Sequence, residues 1–157
     1  SVLPIAAVEL FKFEEQFAFN GEAKNLGEVW RFDRLKQVAF KYLNAPYLWG
    51  GKSPFGIDCS GFSQIVFKIS GYRLERDSAM QARQGRKIDS LDRAEPGDLC
   101  FFGTKTKINH VGILLENNRI IHASGWVRID EITEEGIINA DNGDKTHNLN
   151  TIRRIFK

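Results

Sequence analysis

The sequence has few cysteines and prolines, no long apolar run and no large excess of positive charge. Its 157 residues include only two cysteines and four prolines, too few for a disulfide scaffold or an extensively disordered chain. Its apolar runs are far shorter than the roughly 20 residues that a membrane-spanning helix requires. Lysine and arginine total 22 against 20 acidic residues, so the clustered positive charge of a nucleic-acid binder is lacking. We therefore expect no membrane span and no nucleic-acid partner.

The remaining composition is that of one ordinary globular domain, with 42% hydrophobic and 27% charged residues. A chain of this length buries about 68–70% of its unfolded surface and needs no disulfide or metal to fold. Partial alternation of apolar residues over residues 7–20 and a turn pair at Asn20-Gly21 indicate β structure. We interpret residues 1–30 as an N-terminal extension or the remnant of a preceding β module, and residues 31–157 as the main domain.

Helical spacing of apolar residues dominates the first half of the main domain. One predicted helix follows Arg31 and stops at Asn44-Ala45-Pro46. A second begins at Asp58, a natural N-cap, and ends at Ser70-Gly71. A short third helix over residues 78–84 is predicted to begin with a capping box.

The second half is strand-like. Pro96-Gly97 predicts a type II turn, and the predicted strands cover residues 99–102, 110–115, 120–124 and 151–156. Helices followed by an antiparallel meander indicate an α+β fold.

Cys59 is the sharpest candidate for chemistry. It falls in the first turn of the second helix, where unpaired N–H groups stabilise a thiolate. A cysteine nucleophile needs a base within hydrogen-bond reach and a third group that orients the base. His110 and His122, in two successive predicted strands, are the candidates, whereas His147 lies in a polar run that resembles a solvated loop.

Simpler interpretations exist for the same residues. A cysteine in a sequence this apolar is commonly a small core residue, and Cys100, flanked by apolar neighbours on a strand, fits that description. Asp58 is explained by helix capping alone. A zinc site from Cys59, His110 and His122 is formally available, but the spacing matches no zinc pattern. We expect no metal and no cofactor.

The turn between the two strands decides whether His110 and His122 share a face of the sheet. A two-residue turn at Asn117-Asn118 places them on opposite faces. A three-residue turn at residues 116–118 pairs His122 with Gly112 and brings both histidines to one face. The catalytic interpretation therefore requires a three-residue turn or a bulge.

Five short motifs follow one another between residues 46 and 123. They are Pro46-Tyr47-Leu48-Trp49-Gly50-Gly51, Asp58-Cys59-Ser60-Gly61-Phe62, Pro96-Gly97-Asp98-Leu99, His110-Val111-Gly112-Ile113 and Ile121-His122-Ala123. Together they resemble the signature of the NlpC/P60 cysteine peptidases, over about residues 31–156. The resemblance implies a papain-like core in which N-terminal helices pack on an antiparallel sheet, and it makes residues 31–157 the catalytic domain.

The resemblance also implies roles for individual residues. Cys59 corresponds to the nucleophile, held as a thiolate by an ion pair with His110, which is the general base. His122 corresponds to the polar residue that orients His110. Tyr47 matches a tyrosine beside the active site, and its hydroxyl joins the Cys59 N–H as a candidate oxyanion donor. The implied reaction is cleavage between γ-D-glutamate and the following diamino acid of peptidoglycan stem peptides or muropeptides.

Further positions match substrate contacts in one branch of the family, which recognises a free N-terminal L-Ala. Asp58 and Ser60 would bind the ammonium group. Arg76 would grip a carboxylate of the peptide through its forked guanidinium, with Ser78 nearby. Trp49, on the glycine-rich loop, is a further candidate for substrate binding.

Alternatives remain open on the sequence alone. A papain-like N-acetylmuramoyl-L-alanine amidase or a cross-bridge peptidase would use the same residues, and an inert wall-binding module would keep the groove without the chemistry. The preference for diaminopimelate or lysine, and for intact wall or recycled murein fragments, also stays open. The resemblance favours the bacterial cell envelope, periplasmic or secreted, over the cytoplasm.

Overall fold

The structure, a computed structural model, describes residues 31–156 and two short segments, 3–4 and 23–24. Leu3–Pro4 (β1) pairs in parallel with Ala23–Lys24 (β2). The strand pattern predicted over residues 7–20 and the turn at Asn20-Gly21 lie outside the described residues.

Within residues 31–156, three helices precede the main sheet or lie beside it. They are Phe32–Phe40 (α1), Cys59–Ile69 (α2) and Ser78–Gln81 (α3), and a single 3₁₀ turn follows at Leu91–Arg93. Helix α2 begins as predicted, because the Asp58 side chain accepts a hydrogen bond from the Gly61 N–H at 2.6 Å. None of the helices within the described residues is both long and apolar enough to cross a membrane.

The prediction for helix α3 was wrong in two respects. The helix ends at Gln81 instead of residue 84, and its N-cap is Asp77 rather than Ser78. The capping box does not form, because the Gln81 side chain donates to the backbone oxygens of Ser60 and Glu75 instead. Contacts with the neighbouring helix and loop therefore decide the conformation of Gln81, rather than capping within its own turn.

The strands form a small hairpin and one large antiparallel sheet. The hairpin is Lys52–Ser53 (β3) with Gly56–Ile57 (β4). The large sheet contains Arg86–Ile88 (β5), Leu99–Gly103 (β6), Ile108–Leu115 (β7), Arg119–Ser124 (β8), Trp126–Thr133 (β9), Gly136–Ile138 (β10) and Lys145–Arg154 (β11).

The meander predicted from the sequence is present, but it closes on itself. Strands β6 to β10 are neighbours in chain order, and β11 pairs with β6 on one side and β10 on the other. The six strands β6–β11 therefore form a closed ring, with β5 attached to β11. The sequence did not predict β5, β9 or β10, and it placed the last strand at residues 151–156 rather than at Lys145–Arg154.

Alternation along each strand produces two separate apolar cores. Phe101, Val111 and Ile121 face helices α1 and α2 and join one core. Cys100 and Phe102 point the other way, into the closed ring of strands. Cys100 is fully buried there, which confirms its interpretation as a core residue.

The turn between β7 and β8 has three residues, as the catalytic interpretation requires. Leu115 pairs with Arg119, and Gly112 pairs with His122. Asn117 and Asn118 both adopt left-handed backbone conformations, with φ of 58° and 52°, which asparagine tolerates better than most residues. His110 and His122 therefore lie diagonally across one face of the sheet.

The predicted Pro96-Gly97 turn is confirmed, and it holds a buried ion pair. Gly97 has φ of +96°, and the Asp98 N–H donates to the Glu95 oxygen at 3.0 Å. The Asp98 side chain is fully buried and receives two hydrogen bonds from Arg154 of β11, each of 2.8 Å. This pair joins the start of β6 to the end of β11.

Candidate active site

Cys59 lies at the first residue of α2, where the helix packs against strand β7. The close approach around it depends on Gly61, since a Cβ there would lie 2.5 Å from the Gly51 oxygen and 2.8 Å from Asp58 Oδ1. Three backbone N–H groups hydrogen-bond to the sulfur and favour its charged form, those of Val111, Ser60 and Cys59. The sulfur therefore sits beside the residue that follows His110.

The two histidines are joined directly. His110 Nε2 lies 2.8 Å from His122 Nδ1, and the His122 ring is 1% exposed. On its other side, His122 Nε2 lies 2.9 Å from Asp130 Oδ2 of strand β9. The structure thus brings together the predicted base and its predicted orienting residue, and it adds a carboxylate beyond them.

Asp130 is itself held from three directions. Its Oδ1 accepts hydrogen bonds from Arg128 Nη2 at 2.8 Å and from the Ala140 N–H at 2.9 Å. Burial alone would raise the pKa of Asp130, but its hydrogen bonds from His122 and Arg128 outweigh burial and hold that pKa well below the usual range. Asp130 is therefore a carboxylate at neutral pH.

His147 is not the solvated loop residue that the sequence indicated. It lies on β11, opposite Ile137 of β10, and its ring stacks on His110 with centroids 4.1 Å apart. Burial, followed by the nearby His122, lowers the pKa of His147 to about 4. The closure of the sheet brings this strand over His110, which the polar sequence around residue 147 does not indicate.

Burial opposes charge on both partners of the expected ion pair. Desolvation raises the pKa of the Cys59 thiol, and it lowers the pKa of His110 well below 6.5, helped by His122 and His147. Within residues 31–156, no hydrogen bond joins the Cys59 sulfur to the His110 ring. Catalytic hydrogen bonds of unliganded enzymes are often long and tighten when substrate binds. These surroundings favour the neutral thiol and imidazole over the resting ion pair expected from the resemblance.

Asp58 is the most heavily bonded side chain beside the sulfur. Besides capping α2, it accepts from the Gly50 N–H at 2.9 Å and pairs with both terminal nitrogens of Arg76, at 2.6 and 3.0 Å. Ser60 Oγ accepts from Arg76 at 2.9 Å and lies 3.3 Å from Asp58 Oδ1. Burial alone would raise the pKa of Asp58, but the bonds from Arg76 and Gly61 lower it. The structure thus gathers Asp58, Ser60 and Arg76 into one ionic cluster.

The other predicted substrate contacts are placed differently. Tyr47 is held by its N–H bond to the Gly125 oxygen at 2.9 Å, and the charges of Cys59 and Asp58, after burial, raise its pKa. Trp49 is 88% exposed, and Ser78 is half-buried at the start of α3. No hydrogen bond from the Ser78 side chain to the Asp58 cluster appears in the described part of the chain.

A comparison with protein families decides the classification. The NlpC/P60 family model matches residues 44–144, a span that contains Cys59, His110, His122 and Asp130. The chain belongs to the NlpC/P60 family.

Relatives within the family agree with this assignment. The chain is 37% identical over 133 residues to a γ-D-glutamyl-L-lysine dipeptidyl-peptidase of Bacillus subtilis, covering 78% of this chain and 45% of that protein. It is 42% identical over 106 residues to a probable endopeptidase p60 of Listeria grayi, covering 67% of this chain and 20% of that protein. The chain spans less than half the length of these relatives.

Solved structures show the same fold. An NlpC/P60 family protein from Bacillus cereus superimposes with a TM-score of 0.71 at 28% identity, covering 83% of this chain and 42% of that one. The NlpC/p60 domain of the peptidoglycan hydrolase SagA superimposes with a TM-score of 0.60 at 35% identity, covering 64% of this chain and 89% of that one. The predicted α+β fold with an antiparallel sheet is thereby confirmed.

The family signature did not include three residues that the structure places around the histidines: Arg128, Asp130 and His147. A signal for the first two exists in the sequence, since Val127-Arg128-Ile129-Asp130 alternates as a strand does. Arg128 pairs with His122 across β8 and β9, so Asp130, two residues on, shares its face. No local signal identifies His147.

Proposed function

We propose that this NlpC/P60 domain is a cysteine endopeptidase that hydrolyses the γ-D-glutamyl–diamino-acid bond of peptidoglycan stem peptides. The observation that carries the proposal is the buried contact of His110 with His122, 2.8 Å long, beside a cysteine at a helix N-terminus. The name of the Bacillus subtilis relative, a γ-D-glutamyl-L-lysine dipeptidyl-peptidase, supports this bond as the target.

The site supports a two-stage acyl transfer. His110 takes the thiol proton as the Cys59 sulfur attacks the amide carbon, and the carbonyl oxygen becomes an oxyanion. The N–H of Cys59 belongs to the first helical turn, whose N–H groups lack intrahelical partners, so it can donate to that oxyanion together with the Tyr47 hydroxyl. His110 then protonates the departing amine as the C–N bond breaks. Water hydrolyses the thioester, releasing the γ-carboxylate and restoring the thiol.

The preference for a free N-terminal L-Ala rests on the Asp58 cluster. A buried carboxylate next to the nucleophile has no catalytic purpose of its own, because its charge raises the pKa of the Cys59 thiol. Binding of a substrate ammonium group would give the Asp58 carboxylate a function. In the structure Arg76 occupies both carboxylate oxygens, so the ammonium must share Asp58 with Arg76 or displace it. Displacement would free Arg76 to bind a peptide carboxylate.

This substrate also supports a location in the bacterial cell envelope, where peptidoglycan is found. A free L-Ala terminus occurs on fragments already detached from the sugar strand, so the preference would favour recycled fragments over intact wall.

The proposal is tested with L-Ala-γ-D-Glu-L-Lys and its diaminopimelate counterpart. We expect Cys59→Ala and His110→Ala each to abolish cleavage with melting curves close to that of the unmodified protein, whereas Cys100→Ala, the matched change at the other cysteine, retains cleavage. Mass spectrometry should show a new amine on the diamino acid. A cut next to muramic acid or within a cross-bridge would overturn the bond assignment, and turnover by Cys59→Ala would overturn the nucleophile.

The amine preference needs its own comparison. We expect N-acetylation of the L-Ala to raise KM for the unmodified protein, because the acetylated nitrogen carries no charge for Asp58. Equal KM values for the free and acetylated peptides would show that Asp58 has only a structural role, capping helix α2 and accepting the hydrogen bond from the Gly50 N–H.

A further inference from the structure

In the part of the chain that the structure describes, Asp130 is the one buried carboxylate that touches the histidine pair. It is 3% exposed and lies on β9, on the same sheet face as His122. Its Oδ2 lies 2.9 Å from His122 Nε2. The acyl-transfer steps derived above do not use it.

The surroundings of Asp130 keep it both charged and fixed. Arg128 bonds to it and is itself held by Asn139 Oδ1 at 3.1 Å and Asp141 Oδ2 at 2.7 Å, with the Trp126 ring 4.9 Å away. A carboxylate has no proton to donate. In the contact between Asp130 and His122, the proton must therefore be on His122 Nε2.

The proton on His122 Nε2 determines where the proton of His110 lies. A neutral imidazole carries one proton, so His122 with Nε2–H presents a bare Nδ1. Its 2.8 Å contact with His110 then requires His110 to donate through Nε2–H. His110 Nδ1 is left without a proton, and it is the only ring atom of His110 able to accept one.

We propose that Asp130 is a positioning residue that sets the ring tautomers of His122 and His110, so that His110 Nδ1 is free to take the Cys59 proton. The inference rests on the proposed peptidase activity and adds a fourth residue to Cys59, His110 and His122. When His110 becomes cationic during the reaction, the Asp130 charge stabilises it through His122, as the aspartate of a serine-protease triad stabilises its histidine.

The decisive variant is Asp130→Asn. It keeps the size and shape of the side chain but reverses the direction of the hydrogen bond with His122, because the amide nitrogen donates where the carboxylate accepted. Its amide can accept from Arg128 Nη2 and the Ala140 N–H through the oxygen and donate to His122 Nε2 through the nitrogen. That nitrogen would also face Arg128 Nε, which lies 2.8 Å from Oδ2, so Arg128 must shift slightly. His122 would then carry its proton on Nδ1, and His110 would carry its own on Nδ1, where the thiol proton must go. We expect kcat to fall by about 10²-fold or more, the range attributed to general-base catalysis, with little change in KM.

Asp141→Asn is the matched control. It makes the same change from carboxylate to amide on the other aspartate bonded to Arg128. Unlike Asp130, Asp141 is 70% exposed and is bonded to neither His110 nor His122. We expect kcat and KM close to those of the unmodified protein. Loss of activity in both variants to the same degree would assign the effect to Arg128 and overturn the tautomer role of Asp130.

A measurement that needs no substrate tests the same point. In the Cys59→Ala protein at neutral pH, ring ¹⁵N chemical shifts should show Nε2–H tautomers for both His110 and His122, and adding Asp130→Asn should convert both to Nδ1–H. His110 protonated on Nδ1, or a doubly protonated His122, in the protein that retains Asp130 would overturn the proposal even if Asp130→Asn fails to fold. If the peptide is not cleaved, the proposed function is wrong, but the ¹⁵N chemical shifts still show whether Asp130 sets the tautomers of His122 and His110.

Discussion

His147 lies nearly face to face with His110, with their ring planes 24° apart. The two residues come from strands that are not adjacent in the sheet, β7 and β11, and closure of the strands brings them together. The stack covers one face of the His110 ring, while His122 contacts its edge. The base of the proposed reaction is therefore only 6% exposed.

The stack predicts a pair of variants with different effects. His147→Ala should admit water to the face of His110, reduce its desolvation and raise its pKa toward 6.5. His147→Phe keeps an aromatic ring in the stack and should leave that pKa low. The measurement is the acid limb of kcat/KM, which we expect to move to higher pH for the alanine variant alone. Equal shifts in both variants would show that the stacked ring does not control desolvation.

The unmodified protein should retain activity below the ordinary pKa of histidine. Because burial and the neighbouring histidines hold the His110 pKa well below 6.5, its neutral form persists as the pH falls through 6.5. The acid limb of kcat/KM should therefore lie below pH 6.5, and the limb belongs to the coupled thiol–imidazole pair rather than to one group.

Inactivation by iodoacetamide provides a control for this profile, because the reagent has no ionisable group in that range. Its acid limb should coincide with that of kcat/KM, because alkylation of the neutral thiol also requires a neutral His110 to remove the thiol proton, and Cys100→Ala should not change it. An acid limb at or above pH 6.5 for both reactions would contradict the burial argument.

The buried pair of Asp98 and Arg154 should contribute strongly to the stability of the contact between β6 and β11. Arg154→Ala leaves a fully buried carboxylate without its partner, and breaking a buried ion pair costs about 3–5 kcal/mol. Denaturant unfolding should show that loss. Arg93→Ala is the control, since its pair with Asp89 is exposed and 3.9 Å long, and exposed pairs contribute about 0–1 kcal/mol. Similar losses for both variants would contradict the assignment.

The start of helix α2 and the Pro96-Gly97 turn were predicted from short stretches of sequence because their interactions are local. The Asp58 carboxylate caps a group three residues away, and Gly97 supplies the left-handed conformation within its own turn. The short helix α3 was predicted with the wrong end, because Gln81 bonds to the backbone of Ser60, 21 residues away. The pattern within residues 78–84 contains no information about that contact.

The candidate site divides in the same way. Cys59, His110 and His122 were predicted from motifs. The sequence left open whether the two histidines share a face of the sheet, and the three-residue turn with left-handed Asn117 and Asn118 places them on one face. Asp130 lies on a strand that was not predicted. The alternation of Val127-Arg128-Ile129-Asp130 is compatible with a strand, but only the pairing of β8 with β9 shows that its charged residues face His122.

The amino-acid order alone determined where the reactive sulfur sits on its helix, because capping and helical periodicity act over a few residues. Only the tertiary structure decided that Asp130 and His147 surround the histidine pair. The pairing of β8 with β9 places Asp130 beside His122, and the pairing of β11 with both β6 and β10 places His147. Pairing between strands so far apart in the chain is stabilised by burial of the interior of the closed ring rather than by any local pattern.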